Sequence, residues 1–401
     1  MRRYFILFSL FFFIKSLAQS GCTDPHATNY NPLAAENDGS CVYDVTNYST
    51  TAISTLPPVI SESSALIYHE NLLLSLNDSG GEKVLFKLDT LGQLNQTITV
   101  VNATNVDWEA LAISDSELFI GDFGNNNGNR QDLSIYSLPI AQITSGADTV
   151  QSVKRHFVYQ DQQSFNSNPN ATNFDAEAFV YYQDSLHIFS KSWQSFYCKH
   201  YVLPINWQDT ATAELRDSLY INGLVTDATI DKETGKLVLL GYKLDAPTQG
   251  GAFYTAFAHL LFDYPNHLFF KGNKRRIELG GVLTLGQTEG ITWSSQNKGF
   301  ITSEKVTTPI EIAPKLRSFD FNIFFHQVQA NITETENTPD YFLNNLGDLE
   351  IGPSVYQPKL FNILGQELPL VKTSKGWKLK YAQSGNYFLF IGNQTYRILI
   401  P

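Results

Sequence analysis

The middle of the sequence, residues 49–328, repeats one short unit five times. In each copy a strand-like run carries a small or acidic marker residue, and a tight turn leads to a second apolar run that ends in a polar residue or pair. The marker and the end of the second run are 13 residues apart in three copies and 15 apart in two: Ser64 and Asn77, Glu109 and Asp122, Glu177 and Ser190, Asp227 and Tyr242, and Glu289 and Glu304. Since each midpoint falls in a turn, we predict five antiparallel hairpins in which the members of each pair lie side by side.

Further strand-like runs follow each hairpin, which predicts four-stranded sheets. The third runs are 84–88, 133–138, 196–203, 253–262 and 315–321, and the fourth runs are 97–101, 155–159, 217–221 and 275–279. The fifth copy lacks a fourth run, but an orphan run at 51–60 precedes the first copy. Propellers often close by pairing an N-terminal strand into the last blade, so we predict an all-β, five-bladed β-propeller. Six blades are the alternative, because the insertions in copies two and four are long.

Composition agrees with a β-rich globular chain. The 401 residues are 43% hydrophobic and 13% aromatic, which is ample material for a large core. Only 17% are charged, and the 20 Tyr and 28 Phe residues suit pleated, half-buried surfaces. The formal net charge of −11 would repel a phosphate backbone, so we predict no nucleic-acid partner.

The first 18 residues have the pattern of a secretory signal peptide. Arg2 and Arg3 precede an apolar run of about 11 residues, and Ser16, Leu17 and Ala18 form a small-residue cleavage site. A membrane anchor is the alternative, but the run is shorter than the ~20 residues that span a bilayer. No later stretch approaches that length, so we predict a secreted or outer-surface protein with no membrane span after cleavage.

Residues 19–48 carry a motif of their own. Gly21-Cys22-Thr23-Asp24-Pro25, then 29–32 (NYNP), then 37–41 (NDGSC) resemble a short module of secreted Bacteroidetes proteins. The resemblance and an oxidising compartment imply a disulfide between Cys22 and Cys41, with Cys198 left free. Its oxygen-bearing side chains could bind Ca²⁺ or form Asx turns, and the second interpretation is favoured.

The last part of the chain resembles a C-terminal sorting domain of type IX secretion cargo. The matching runs are 359–368 (KLFNILGQEL), 384–391 (SGNYFLFI) and 396–400 (YRILI). Only Arg397 stands where such domains usually place several basic residues. The resemblance implies a small β-sandwich at 341–401 after a linker at 329–340, with the type IX secretion machinery as partner. An ordinary accessory β-domain is the alternative.

Residues 63–139 resemble a widespread group of secreted bacterial propellers. The members carry SGL, HNDSG, DWED, GDIGDN and RxDLxIYR, and this chain has SSAL at 63–66, LNDSGG at 76–81, DWEA at 107–110, GDFGNN at 121–126 and RQDL at 130–133. The group is more distantly similar to phytase-like esterase and gluconolactonase propellers, whose E-G motifs resemble Glu289-Gly290-Ile291. The resemblance implies the fold and no settled reaction.

The repeat predicts where a functional site lies. In a propeller the first strand lines the channel, and its start shares a face with the end of the second strand. Acids of different blades should therefore converge there, and we expect metal ligands, Ca²⁺ first, among Glu109, Glu177, Asp227, Glu289 and Asp122. Ligand-binding candidates at the same mouth are Asn77, Asp78, Asn125, Arg130, Lys191, Lys243, Glu304 and Lys305. The alternative is a lattice of salt bridges between blades with no ligand.

Two functional hypotheses follow. One is a metal-assisted hydrolase of an anionic ester or phosphoester, with a cation that polarises the substrate oxygen or activates water. The other is a noncatalytic surface propeller that binds a glycan, a small anionic ligand or a protein at the same mouth. The scattered histidines and Cys198 are expected to have structural roles, since the sequence has no nucleophile elbow, zinc-protease motif or Cys-x-x-Cys.

Overall fold

A computed structural model describes residues 19–244, 254–307, 311–325, 341–343, 348–352, 357–363, 365–380, 383, 385–391 and 394–400. The chain divides into two compact units, with the boundary between Phe325 and His326. The predicted signal peptide and the predicted linker at 329–340 lie outside the described residues.

Twenty strands of the first unit pair antiparallel in five groups of four, and we number these groups as blades 1 to 5 in chain order. Their first strands are Ser63–His69, Trp108–Ile113, Ala176–Tyr182, Leu224–Ile230 and Gln287–Ser295. Each of these contacts the first strand of the next blade, and that of blade 5 contacts that of blade 1. The first strands therefore surround a common axis, and the prediction of an all-β propeller is confirmed.

The remaining strands extend each sheet outward. The second strands are Leu72–Asn77, Glu117–Asp122, Ser185–Ser190, Leu237–Leu244 and Lys298–Glu304. The third strands are Val84–Asp89, Ser134–Pro139, Tyr197–Pro204, Tyr254–Phe262 and Lys315–Asp320. The fourth strands are Leu94–Val101, Val153–Tyr159, Thr210–Tyr220, Asn273–Gly281 and, for blade 5, Thr51–Thr55. Short helices lie between strands at Pro58–Ile60, Ile140–Thr144, Phe269–Lys271, Val282–Leu285 and Asn322–Phe325.

The N-terminal strand closes the ring as predicted. Thr51–Thr55 pairs antiparallel with Lys315–Asp320, so the last sheet combines the two ends of the domain. The predicted run was longer, but Pro57 and Pro58 end the strand because proline lacks the amide proton that a ladder needs.

Outer edges of four blades are covered by further pairing. Thr149–Gln151 runs parallel to the fourth strand of blade 1, and Thr46–Asn47 runs parallel to that of blade 4. The fourth strands of blades 2 and 3 pair with each other in parallel, with His156 opposite Thr210. Covered edges do not offer free backbone groups to another chain.

The core lies between blades rather than in one centre. Buried apolar clusters join each pair of neighbouring blades, as between blades 1 and 2, where Leu74 and Ile98 share a cluster with Trp108 and Tyr136. Both faces of the inner strands are thereby covered, which explains their nearly continuous apolar sequences.

A β-bulge occurs at the same place in the first strand of every blade. The bulged residues, which have no directly opposite partner, are Ser64, Glu109, Glu177, Thr226 and Glu289. The predicted side-by-side pairs are therefore wrong by one to three positions. Asn77 is opposite Ser63, Asp122 is opposite Trp108, and Glu304 is opposite Gln287. A bulge adds a residue to one strand only. Counting equal numbers of residues outward from the turn on both strands therefore misplaces the register beyond the bulge.

The N-terminal segment contains the predicted disulfide between Cys22 and Cys41, and Cys198 is free and buried. Local hydrogen bonds occupy its polar side chains. Asp24 accepts one from the Tyr43 hydroxyl at 2.6 Å, and Asp38 accepts one from the Ser40 amide at 2.9 Å. The bond between the Asp38 carboxylate and the Ser40 amide has the spacing of an Asx turn, which the favoured interpretation of the segment predicts.

The second unit contains two four-stranded sheets. One has Tyr341–Leu343, Leu349–Ile351, Gly376–Leu379 and Val371–Thr373, and the other has Glu367–Leu368, Lys359–Asn362, Gly385–Ile391 and Gln394–Ile400. Apolar residues of both sheets, among them Leu349, Leu360 and Leu389, share one buried cluster. The predicted C-terminal β-sandwich is therefore present.

Candidate functional site

The bulge brings three glutamates to one end of the channel. Glu109, Glu177 and Glu289 belong to blades 2, 3 and 5 and are only 2%, 4% and 5% exposed. In blades 1 and 4 the same position holds Ser64 and Thr226, whose hydroxyls each donate to a backbone oxygen of the next blade. The buried ring thus contains three carboxylates and two neutral hydroxyls, and its acids must be protonated, paired or bound to a cation.

Three carboxylates from blades 1 and 2 lie close together. Oxygens of Asp78, Asp107 and Glu109 are all within 4.8 Å of one another. Glu109 Oε2 also accepts a hydrogen bond from Ser64 Oγ at 3.2 Å. No ion pair of these three acids with a lysine or arginine occurs among the described residues. We call this group the acidic triad.

Gly124 leaves room for the acidic triad. A Cβ atom at this position would lie 2.4 Å from Glu109 Oε1 and 2.5 Å from Asp107 Oδ2. Only glycine lets the backbone come so close to the two carboxylates without a shift in their positions. A side chain at position 124 would therefore push the Asp107 and Glu109 carboxylates out of their present positions.

A second group beside the triad has its own counter-ion. The Lys191 ammonium bonds Glu177, and both side chains are buried. The ammonium also lies 5.1 Å from the centre of the Trp193 ring and 5.5 Å from that of Tyr242. Although burial alone would lower it, Glu177 and other nearby groups hold the pKa of Lys191 well above its usual value. Lys191 therefore serves as an internal cation for this side of the mouth.

Glu289 and Glu304 complete the mouth on blade 5. Glu289 Oε1 accepts a hydrogen bond from Gln287 Nε2 at 2.6 Å, and Gln287 Oε1 accepts one from the Tyr254 hydroxyl at 2.9 Å. Burial, reinforced by Glu289 and Asp78, raises the pKa of Glu304 to about 9. Glu304 therefore keeps its proton at neutral pH.

The pKa values of the acidic triad show the cost of crowding acids without a cation. Burial raises the pKa of Glu109 well above its usual value, and repulsion from Glu177 and Asp78 adds to the effect. Burial, with Asp78 and Asp175 nearby, raises the pKa of Asp107 to about 7. Perturbed carboxylates in a cleft are typical of functional sites.

The loop after Asp122 is held by an arginine. Arg130 bonds Asp122 Oδ1 at 3.0 Å, Asp132 Oδ1 at 3.0 Å and the Gly124 backbone oxygen at 2.9 Å. Asp122 Oδ1 also accepts the Asp107 amide at 3.1 Å, which fixes one member of the triad. Asn125 donates to the Phe174 backbone oxygen and accepts the Arg130 amide. Asp122, Asn125 and Arg130 therefore brace the site rather than meet an open space.

Other sequence candidates lie apart from the triad. Asp227 is one position beyond the bulge and accepts backbone amides of Ala228 and, across the blade interface, Ile291. Asn77 donates to the Val59 backbone oxygen at 2.8 Å. Lys243 is exposed, and Lys305 pairs with Glu311 at 2.8 Å. Of the three lysines expected at the mouth, Lys191 is buried against Glu177 there.

Asp107 was missed as a ligand candidate. It precedes its strand by one residue, and the repeat identified only the position of Glu109. A signal was present, since Asp107 lies in the DWEA motif at 107–110, two residues before Glu109. Residues two apart on an extended chain share a face, so the pair could have been considered together.

The acidic triad has the chemistry of a hard-cation site. Carboxylate oxygens are the ligands that Ca²⁺ prefers, and Ca²⁺ accepts six to eight oxygens, including waters. Three carboxylates supply part of this shell, and the shape provided by Gly124 fits such a group.

Comparisons with known proteins are remote. No family model and no curated protein matches the chain. The PQQ-bound aldose sugar dehydrogenase of Streptomyces coelicolor is 8% identical, with 68% of this chain and 98% of that chain covered and a TM-score of 0.38. The endo-1,5-α-L-arabinanase of Thermotoga petrophila is 11% identical, with 88% of this chain and 92% of that chain covered and a TM-score of 0.33. An auxiliary nutrient binding protein of Bacteroides thetaiotaomicron is 10% identical, with 73% of this chain and 82% of that chain covered and a TM-score of 0.31. These similarities assign no function.

Strand pairing and site geometry together define an all-β propeller with a buried, carboxylate-lined channel mouth. In the part of the chain that the structure describes, no helix has the length and apolarity required to cross a membrane.

Proposed function

We propose that the protein is a divalent-cation-dependent hydrolase of an anionic ester or phosphoester, with Asp78, Asp107 and Glu109 as the ligands of the ion. The observation that carries the proposal is the 4.8 Å cluster of three carboxylates. Glu177, in the same ring, has Lys191 as its counter-ion, whereas the triad has no such partner among the described residues. An external cation would supply the missing positive charge.

The residues around the triad support this role. Gly124 leaves space for two of the carboxylates, and Asp122 holds the Asp107 backbone. Lys191 is engaged with Glu177, Arg130 with two aspartates, and Lys305 with Glu311. A bound divalent cation would polarise a carbonyl or phosphoryl oxygen and lower the pKa of a water ligand. It would also be the main positive charge that a substrate anion meets at this mouth.

The test compares hydrolysis with and without ions. Mature protein treated with EDTA is given Ca²⁺, Mn²⁺ or Mg²⁺ and assayed on p-nitrophenyl acetate, p-nitrophenyl phosphate and bis-p-nitrophenyl phosphate. We expect ion-dependent turnover by the wild type and by the exposed control Glu233→Gln, and loss of turnover in Glu109→Gln. Ion binding by calorimetry without turnover of any ester would reject the catalytic part and favour a noncatalytic propeller that binds a glycan or protein. No ion binding at all would reject both.

We also propose export to the cell surface through the type IX route. The disulfide between Cys22 and Cys41 supports an oxidising destination, and the C-terminal sandwich has the size expected of a sorting domain. In a host with a type IX system, removal of residues 341–401 should retain the protein in the periplasm. Unchanged surface delivery of the truncated chain would contradict this proposal.

A further inference from the structure

A line of buried polar groups crosses blade 3 from its first strand to its fourth. His187 and His200 are fully buried, and His187 Nδ1 lies 2.9 Å from His200 Nε2. His187 Nε2 lies 3.2 Å from the backbone oxygen of Tyr182, and His200 Nδ1 lies 3.1 Å from Asp217 Oδ1. The four residues belong to the four strands of the blade in order. We call this line the histidine relay.

The histidine relay contains three hydrogen-bond contacts, and each needs one proton. A carbonyl oxygen and a carboxylate, both acceptors, stand at its two ends. Two neutral imidazoles supply only two protons. If both imidazole protons are on Nε2, the lone pair of His200 Nδ1 faces a lone pair of Asp217 Oδ1, and this contact is repulsive. If both protons are on Nδ1, the same conflict occurs at Tyr182.

We propose that the histidine relay holds a third proton, shared between His200 and Asp217, and acts as a pH-sensitive clamp across blade 3. With this proton all three contacts are hydrogen bonds, and the buried group has no net charge. Without it, the group carries one negative charge, and one of the three contacts becomes repulsive. An unpaired charge and a repulsive polar contact both cost more free energy in a buried site than in water.

Aromatic rings cover the middle of the relay. The His200 ring stacks on Phe189, and its centre is 4.9 Å from that of Phe269. The Asp217 side chain is 11% exposed, so a proton can exchange with solvent there. Asp217 Oδ2 is buried without a hydrogen-bond partner in the described part of the chain, so Oδ1 makes the contact of this carboxyl group with the relay.

Three further titratable or charged groups face the relay. The His267 ring centre is 5.5 Å from that of His187, Arg216 is the neighbour of Asp217 on the fourth strand, and the buried Cys198 thiol lies near Asp217. Arg216 pairs with Glu214 at the surface. A fourth proton is disfavoured, because burial and the neighbouring His200 lower the pKa of His187 to about 3. Burial also lowers the pKa of His200, and the Asp217 carboxylate opposes this effect, so the third proton depends on the 3.1 Å contact with Asp217.

The direct test is histidine NMR on the full mature chain. With ¹⁵N-histidine labelling at pH 7, we expect the shared proton to appear as either a doubly protonated His200 or a protonated Asp217 carboxyl. A neutral His200 beside an ionised Asp217 would overturn the proposal.

A substitution gives a second test that does not depend on resonance assignment. Asp217→Asn offers an amide donor to neutral His200, so three hydrogen bonds form without the third proton. Between about pH 6.5, the pKa of an unfolded histidine, and the pKa of the relay, the unfolding equilibrium constant of the wild type should rise by up to tenfold per pH unit, and above the relay pKa it should level off. This dependence should disappear in Asp217→Asn and persist in the exposed control Asp209→Asn. Identical pH profiles for wild type and Asp217→Asn would contradict the clamp.

Discussion

Replacing Glu109 by glutamine should have opposite effects on stability with and without a divalent cation. The side chain keeps its size, and its amide oxygen can still accept the hydrogen bond from Ser64. What is lost is one negative charge in the acidic triad. Without an ion that charge repels its neighbours, whereas with an ion it is a ligand.

The magnitude follows from the geometry of the triad. At 4.8 Å, the upper bound on the oxygen separations in the triad, two ionised carboxylates repel by about 3 kcal/mol at an effective dielectric constant of ~20. Glu109→Gln removes two such repulsions, but the raised pKa of Glu109 shows that the acids are partly protonated. We therefore expect the ion-free variant to be more stable than wild type by about 1–3 kcal/mol.

Thermal unfolding in EDTA and in excess Ca²⁺ measures both effects. Wild type at a Ca²⁺ concentration of ~100 Kd should gain about 2.7 kcal/mol, which is roughly 5 °C in Tm for a domain of this size. Glu109→Gln should start from a higher Tm in EDTA and gain little from Ca²⁺, and the exposed control Glu233→Gln should behave as wild type. A variant that is less stable in EDTA and shows the wild-type Ca²⁺ shift would mean that the Glu109 charge neither repels its neighbours nor binds the ion.

Three further predictions concern Lys191, Gly124 and His259. Lys191→Met should destabilise the protein by about 3–5 kcal/mol, because Glu177 loses its buried partner. In urea titrations the double variant with Glu177→Gln should recover most of this loss, and no recovery would contradict the pairing. Gly124→Ala should weaken Ca²⁺ binding, measured by calorimetry, at least tenfold. Gly281→Ala should leave it unchanged, because the nearest atom to its Cβ would be the Tyr254 backbone oxygen at 3.9 Å. Equal affinities of the two variants would contradict the role of Gly124. Burial lowers the pKa of His259 to about 3, so the folded protein keeps it neutral while the unfolded chain binds a proton near pH 6.5. Stability should therefore fall below pH 6.5, with about 1.4 kcal/mol per pH unit from His259, and His259→Gln should remove that share of the slope in urea titrations; an unchanged slope would contradict its assignment.

The blade pattern was predictable because it depends on local periodicity. Hairpins with short turns repeat at fixed spacing, and the orphan run at 51–60 had no partner except the incomplete last copy. The β-bulges were not predictable, since a bulge adds one residue without changing the apolar pattern. The error had a chemical consequence in blade 4, where Thr226 takes the bulge position and Asp227 bonds backbone amides.

The candidate site was predictable in outline and not in its pairing. The recurrence of acids at marker positions singled out Glu109, Glu177 and Glu289, and these carboxylates lie near enough to repel one another. Which acids have a counter-ion depends on side-chain direction across blades, which no spacing encodes. The sequence could not show that Lys191 lies against Glu177, or that Asp107 joins Asp78 and Glu109.

Diffraction from crystals soaked in Mn²⁺ would locate the ion itself through its anomalous scattering. We expect one strong anomalous peak within about 2.5 Å of oxygens from Asp78, Asp107 and Glu109. A peak between Glu177 and Glu289 instead, or no peak at the channel mouth in crystals that bind Mn²⁺ elsewhere, would contradict the assignment of the acidic triad as the metal site.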